Sequence, residues 1–217
     1  MIRQVSLEEI SDGRLYGLND MVKADCQDCA GCSACCRGMG QSIVLDPFDC
    51  YLLTGGLRQS MEQLLAGAVE LNVADGLILP NLKMDDQSGC CSFLDRNGRC
   101  GIHDLRPGIC RLFPLGRYYE NRSFRYFLQT KECRKENRTK IKVRKWLDLS
   151  DPVRYEQYIC DWHYFLKDCQ VLAGRSQDTA KKVSMLILTE CYLRPYENGT
   201  DFYEDFSRRL ENVKNSL

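Results

Sequence analysis

The chain has 217 residues, in which 30 Lys and Arg balance 30 Asp and Glu; its formal net charge is zero, and no global field recruits nucleic acid or anionic lipid. That length suffices for one large or two small domains with an ordinary apolar core, so the 14 cysteines are not needed as disulfide staples. Glu8 and Glu9 stand where a signal peptide needs its apolar run, and no run of roughly 18 apolar residues offers a membrane helix. The expected compartment is therefore the cytoplasm, where thiols stay reduced and clustered cysteines mean metal or redox chemistry rather than a disulfide scaffold.

Residues 1–25 are polar and weakly patterned, a short helix or arm leading into the first cysteine group. Ile43-Val44-Leu45 reads as a short strand. Asp46 and Pro47 supply an N-cap and a first-turn proline for a helix through Leu53, which Gly55-Gly56 is expected to stop. Ser60 and Gln63 form a capping box for a second helix with Leu64, Leu65 and Ala68 inward. Residues 77–84 predict another strand, and Phe93-Leu94 with Asn97-Gly98 predicts a hairpin ending at Cys100. Residues 117–129 alternate aromatic and polar side chains around Asn121-Arg122, a further hairpin. From Ser150 the period changes. Asp151 and Pro152 open a long amphipathic helix whose stripe is Tyr155, Tyr158, Ile159, Trp162, Phe165, Leu166 and Cys169. Ser176 opens another helix, with Val183, Leu186, Ile187 and Cys191 inward, ending near Pro195. Phe202, Phe206, Leu210 and Val213 mark a last one.

The chemistry is concentrated in the cysteines. Residues 26–36 read Cys-Gln-Asp-Cys-Ala-Gly-Cys-Ser-Ala-Cys-Cys, which puts thiols at Cys26, Cys29, Cys32, Cys35 and Cys36. A Cys-x2-Cys step lets the backbone turn around one metal or one cluster corner, and Gly31, Ser33 and Ala34 keep the loop small enough for amides to approach bound sulfurs. So polar a loop offers little core for thiols acting as small hydrophobes. A second group follows with Cys90, Cys91 and Cys100, then Arg106-Pro107-Gly108-Ile109-Cys110-Arg111-Leu112-Phe113-Pro114, and Cys133 comes after the next hairpin.

In its Cys-x2-Cys-x2-Cys-Cys entry and its Arg-Pro-x2-Cys-Arg-x-Phe-Pro run, the chain resembles the YkgJ-like cysteine-cluster family, a zinc- or iron-chelating domain, over roughly residues 26–135. The resemblance implies a metal-binding module carried by Cys29, Cys32, Cys35, Cys36, Cys91, Cys100, Cys110 and Cys133. Similar domains occur in flagellin lysine methylases, which suggests one group-transfer chemistry. The chain departs from the pattern at His103, where a tyrosine is expected, and in the additional thiols Cys26 and Cys90.

Eight thiols allow one four-cysteine cluster with four spares, or two four-thiolate sites. The surplus exceeds one closed tetrahedral zinc site and favours an iron-sulfur cluster such as 4Fe-4S, with zinc as the alternative. Adjacent cysteines project in different directions, so one of each pair is expected to face the metal. Arg106 and Arg111 flank Cys110 and are candidates to stabilise the negative charge of a thiolate-bound cofactor or to receive a substrate anion; solvated surface arginines are the competing reading. His103, three residues after Cys100, is a weaker ligand candidate than the thiols. His163 reads as structural, and Cys50, Cys160, Cys169 and Cys191 as buried small hydrophobes in helices. Residues 131–145 carry eight Lys and Arg against Glu132 and Glu136, a solvated connector rather than a nucleic-acid surface because no aromatic platform is interleaved.

The expected fold class is α+β: an arm over residues 1–25, an irregular cysteine-cluster metal-binding domain over 26–145, and a helical part over 146–217 packed on it. The expected function is metal binding, most simply through an iron-sulfur centre, in a redox or methyltransferase-like enzyme acting on a protein or small-molecule substrate. The alternative is a zinc-stabilised, non-catalytic binding module.

Overall fold

The computed structural model describes residues 6–27, 32–135, 137–197 and 199–217. The architecture is α+β, with short antiparallel ribbons through the first two thirds and long helices in the last third. After α1 (Leu7–Ile10), β1 (Met21–Asp25) runs antiparallel to the distant β6 (Thr139–Lys142), Met21 facing Lys142 and Asp25 facing Thr139. The chain leaving β1 through Cys26 and the chain entering β6 from Cys133 therefore meet at one end of that ribbon.

Helix α2 (Pro47–Leu57) begins as its sequence dictates: the Asp46 side chain accepts the Asp49 amide, the Asp49 side chain accepts the Asp46 amide, and Pro47 occupies the first turn. It does not stop at Gly55-Gly56. It runs on to Leu57 and ends at Arg58 in the left-handed region, φ 54°. A Cβ on Gly56 would lie 2.3 Å from Leu105 Cδ1, so that glycine admits a neighbouring side chain instead of breaking the helix. Ser60 and Gln63 form the expected capping box of α3 (Met61–Leu65).

The strand expected over 77–84 is β3 (Leu77–Leu82), and it has a partner that its pattern did not announce. β2 (Val69–Ala74) forms a hairpin with it through Asp75-Gly76, both at positive φ. The second predicted hairpin is β4 (Leu115–Glu120) with β5 (Ser123–Leu128), turning at Asn121-Arg122, again both at positive φ. Between the two ribbons lies the short α4 (Gly108–Leu112), and α5 (Val143–Leu147) follows β6.

Helix α6 (Pro152–Ala173) buries the predicted stripe, and the Asp151 carboxylate accepts from the Arg154 amide at its start. Helix α7 (Gln177–Ile187) continues into a widened π-type turn, Leu188–Leu193, before α8 (Phe202–Ser216). Arg209 of α8, 2% exposed, satisfies the carbonyls freed there, donating to the oxygens of Glu190, Arg194 and Pro195 while Asp205 neutralises it.

Two apolar clusters hold the molecule together. The larger joins residues 43–102 to the stripe faces of α6, α7 and α8, so the helices form one core with the first ribbon. The smaller joins Tyr16, Val22 and Cys26 to Leu112, Leu115, Tyr126, Leu128 and the α5 residues Val143, Trp146 and Leu147. Cys50, Cys169 and Cys191 are core residues as expected. Cys160 is not: it lies half-buried at the edge of α6, its Sγ 3.0 Å from the Arg122 carbonyl. It lies off the buried stripe, on the side of α6 that faces the β4–β5 turn. Among the described residues no helix is long and apolar enough to cross a membrane.

Candidate metal centre

The two cysteine groups, separated by more than fifty residues, are joined through their backbones. A short 3-10 turn, Ala34–Cys36, presents Cys35 and Cys36, with the Cys36 amide donating to the Ser33 carbonyl. The Cys36 carbonyl then accepts from the Cys91 amide at 2.8 Å, and the Gly38 amide donates to the Gly89 carbonyl, also at 2.8 Å. Gly38 and Gly89 both sit at positive φ, which lets the two loops close on each other without side-chain strain. Between them Arg37 bridges Cys90, its Nη1 donating to the Cys90 Sγ and its Nε to the Ser33 hydroxyl.

Side chains fix the second group locally. Asp85 accepts from the amide and hydroxyl of Ser88, shaping the turn into Cys90 and Cys91. Asp95 accepts from the amides of Asn97 and Arg99 and so closes the turn whose strands pair Leu94 with Cys100. Cys110 stands on α4. Because Pro107 precedes that helix and provides no side-chain cap, the Gly108 amide turns to the carboxylate of Asp49, 2.7 Å away on α2. A Cβ on Gly108 would lie 2.2 Å from the Tyr155 hydroxyl, so only glycine fits between α4 and α6.

Cys35, Cys36, Cys91, Cys100 and Cys110 influence one another's ionisation. Burial pushes the Cys110 thiol up, and Asp49, Cys35, Cys91 and Cys100 push it further. Burial raises Cys91 and Cys100 likewise, each also feeling the other thiols. Cys35 and Cys36 act as a pair: the Cys36 S–H donates to Cys35, holding Cys35 down and Cys36 up. The Arg106 guanidinium favours the thiolate at both Cys35 and Cys100. Its own Nη1 lies 2.6 Å from Nε2 of His103, so that ring nitrogen faces an arginine. Arg111 is turned elsewhere, donating to the carbonyls of Asp104, Leu147 and Asp148 and bracing α4 against α5.

Cys32 and Cys133 are half-buried and are not among the main influences on these thiols, and Cys29 lies outside the described residues. Among the described residues no group of three or more His, Cys, Asp or Glu side chains is arranged as it stands to hold a metal ion. His163 stacks on Tyr119 with ring centroids 3.6 Å apart, a packing role. The residue that the motifs did not announce is Asp49. Its capping-box position was legible, but its second bond, to Gly108, depends on tertiary contact.

The sequence model of the CxxCxxCC family, described as "Putative zinc- or iron-chelating domain", matches residues 28–139, just over half of the chain. No curated protein and no solved structure matches the chain.

Proposed function

The chain belongs to the CxxCxxCC family of metal-chelating domains, and on that premise we propose that it carries an iron-sulfur cluster held by cysteine thiolates from both motif segments. The observation that carries this reading is the donor chemistry. Five thiols influence one another's ionisation: burial and neighbouring thiols hold Cys36, Cys91, Cys100 and Cys110 protonated, while Cys35 is held down by the Cys36 thiol and Arg106. A bound metal would reverse that balance at the raised thiols, since a metal deprotonates the thiols that coordinate it. The residues fit such a group: Cys35, Cys36, Cys91, Cys100 and Cys110 supply soft sulfur ligands, Cys29, Cys32 and Cys133 complete the set implied by the family motif, and Arg106 offsets the negative charge of the assembly.

A bound cluster supplies one-electron chemistry or a site for group transfer. The protein's own part is to hold the thiolates and to offer the Arg106 guanidinium to an anionic substrate. Iron is favoured over zinc by the number of grouped thiols, which exceeds the four of a closed tetrahedral site. The test is chemical analysis of anaerobically purified protein together with its visible spectrum. Iron and acid-labile sulfide with thiolate-to-iron absorption are expected; stoichiometric zinc without sulfide would overturn the cluster in favour of a zinc-stabilised module.

A further inference from the structure

We propose that Asp49, which lies outside the cysteine motifs, is a positioning residue that sets the place of Cys110 at the metal centre through the Gly108 amide. This rests on Cys110 being a ligand. The carboxylate is 2% exposed and spends its two oxygens on two backbone amides, Oδ1 on Gly108 at 2.7 Å and Oδ2 on Asp46 at 3.0 Å. Its own location is fixed because it sits in the proline-started first turn of α2, reciprocally capped with Asp46. From the other side the Tyr155 hydroxyl of α6 closes on Gly108 so tightly that no side chain fits there. Gly108 is therefore held between two rigid helices, and Cys110 follows two residues later on the same short turn.

What Asp49 contributes is geometry: it is buried, and both of its oxygens are taken by backbone amides, Oδ1 by Gly108 and Oδ2 by Asp46. Without it, the Gly108 amide would be left buried and unpaired, and the turn would be free to shift or to recruit water. Ligands must be held within a fraction of an ångström of their working place, so a small shift is felt at the metal.

Asp46 provides the control for a merely structural role: Asp46→Ala removes its half of the capping box and its bond from the Tyr158 hydroxyl, but keeps the backbone amide that holds Asp49 Oδ2 and leaves the bond to Gly108 in place. The experiment uses the full chain as purified with its metal and follows extraction of that metal by a coloured chelator, with thermal unfolding measured alongside. Asp49→Ala is expected to speed extraction by about tenfold or more, while Asp46→Ala stays within about threefold of wild type. Asp49→Asn, whose amide oxygen can still accept from Gly108, should fall between them. Equal extraction rates for Asp49→Ala and Asp46→Ala, or a wild-type rate for Asp49→Ala, would overturn the proposal. Should Asp49→Ala not fold, Asp49→Glu displaces the same oxygens by one methylene: fast extraction from a folded chain supports the proposal, and a wild-type rate overturns it. Cys110→Ser separates the two claims. If that change leaves extraction untouched, the reading of Cys110 as a ligand has failed, whatever Asp49 does.

Discussion

The amide of Cys91 donates to the carbonyl of Cys36 at 2.8 Å, so a residue of the second cysteine group is bonded directly to the last residue of the first. Among the described residues neither loop has a regular ladder of its own, and ordering such backbone costs about 1 to 2 kcal/mol per residue. A shared metal offsets that cost for both at once, since structural metals bind folded sites with about 10 kcal/mol or more. Removing the metal should therefore raise tryptic cleavage after Arg37 and after Arg96 or Arg99 together. Cleavage that rises in only one loop would show that the segments are ordered independently.

The pinch at Gly108 predicts an unusual penalty for a small change. Gly108→Ala brings a Cβ to 2.2 Å from the Tyr155 hydroxyl and should cost about 1 to 3 kcal/mol, the range for overpacking a core contact. Tyr155→Phe in the same chain removes the clashing atom and should restore part of that loss. Gly56→Ala meets only the end of the flexible Leu105 side chain inside a helix, where alanine gains about 0.5 to 1 kcal/mol over glycine, so its net cost should be under about 1 kcal/mol. Denaturant unfolding of the three variants checks the order.

Much of this was legible in the sequence, and what was not has a physical reason. Asp46, Pro47, Ser60, Gln63, Asp151 and Pro152 act within one turn of their own helices, so local chemistry suffices to read them. The stripe from Tyr155 to Cys169 was equally readable because its period is that of the helix it builds. Gly55-Gly56 misled because the glycine is there for Leu105, about fifty residues away, a contact no local pattern encodes. β2 was missed although Val69–Val73 alternates apolar and polar residues as a strand does; its burial is inverted, with Leu71 and Val73 left exposed. The family's cysteine spacing was readable, but the Asp49 contact was not, because its partner is an amide on another helix.

His163 predicts a pH dependence of stability. Burial, then Lys167, lowers its pKa from 6.5 to about 4 where it stacks on Tyr119. The unfolded chain takes up this proton first as pH falls, so stability is fully present above about 6.5 and is lost progressively toward about 4. His163→Phe keeps a flat ring for the stack and removes the titration. The difference in unfolding free energy between this variant and wild type should change between pH 6.5 and 4 and be constant above 7. A constant difference throughout would refute the assignment.

The buried helical cysteines should be dispensable for the metal. Cys169 and Cys191 pack in the large core, and burial pushes both thiols up to about 12. Cys169→Ala and Cys191→Ala should each cost about 1 to 2 kcal/mol in stability as small cavities open. Metal bound per folded chain should not change. Loss of metal from either variant with its helices intact would place a ligand in the core.

That the two cysteine segments serve one metal centre is tested most directly by counting metal. Metal content per chain should be measured in Cys35→Ser, in Cys110→Ser and in the double variant, purified alike under anaerobic conditions. One shared centre predicts that each single change removes nearly all the metal and that the double change removes no more. Half the metal retained in each single variant, and none in the double, would contradict it.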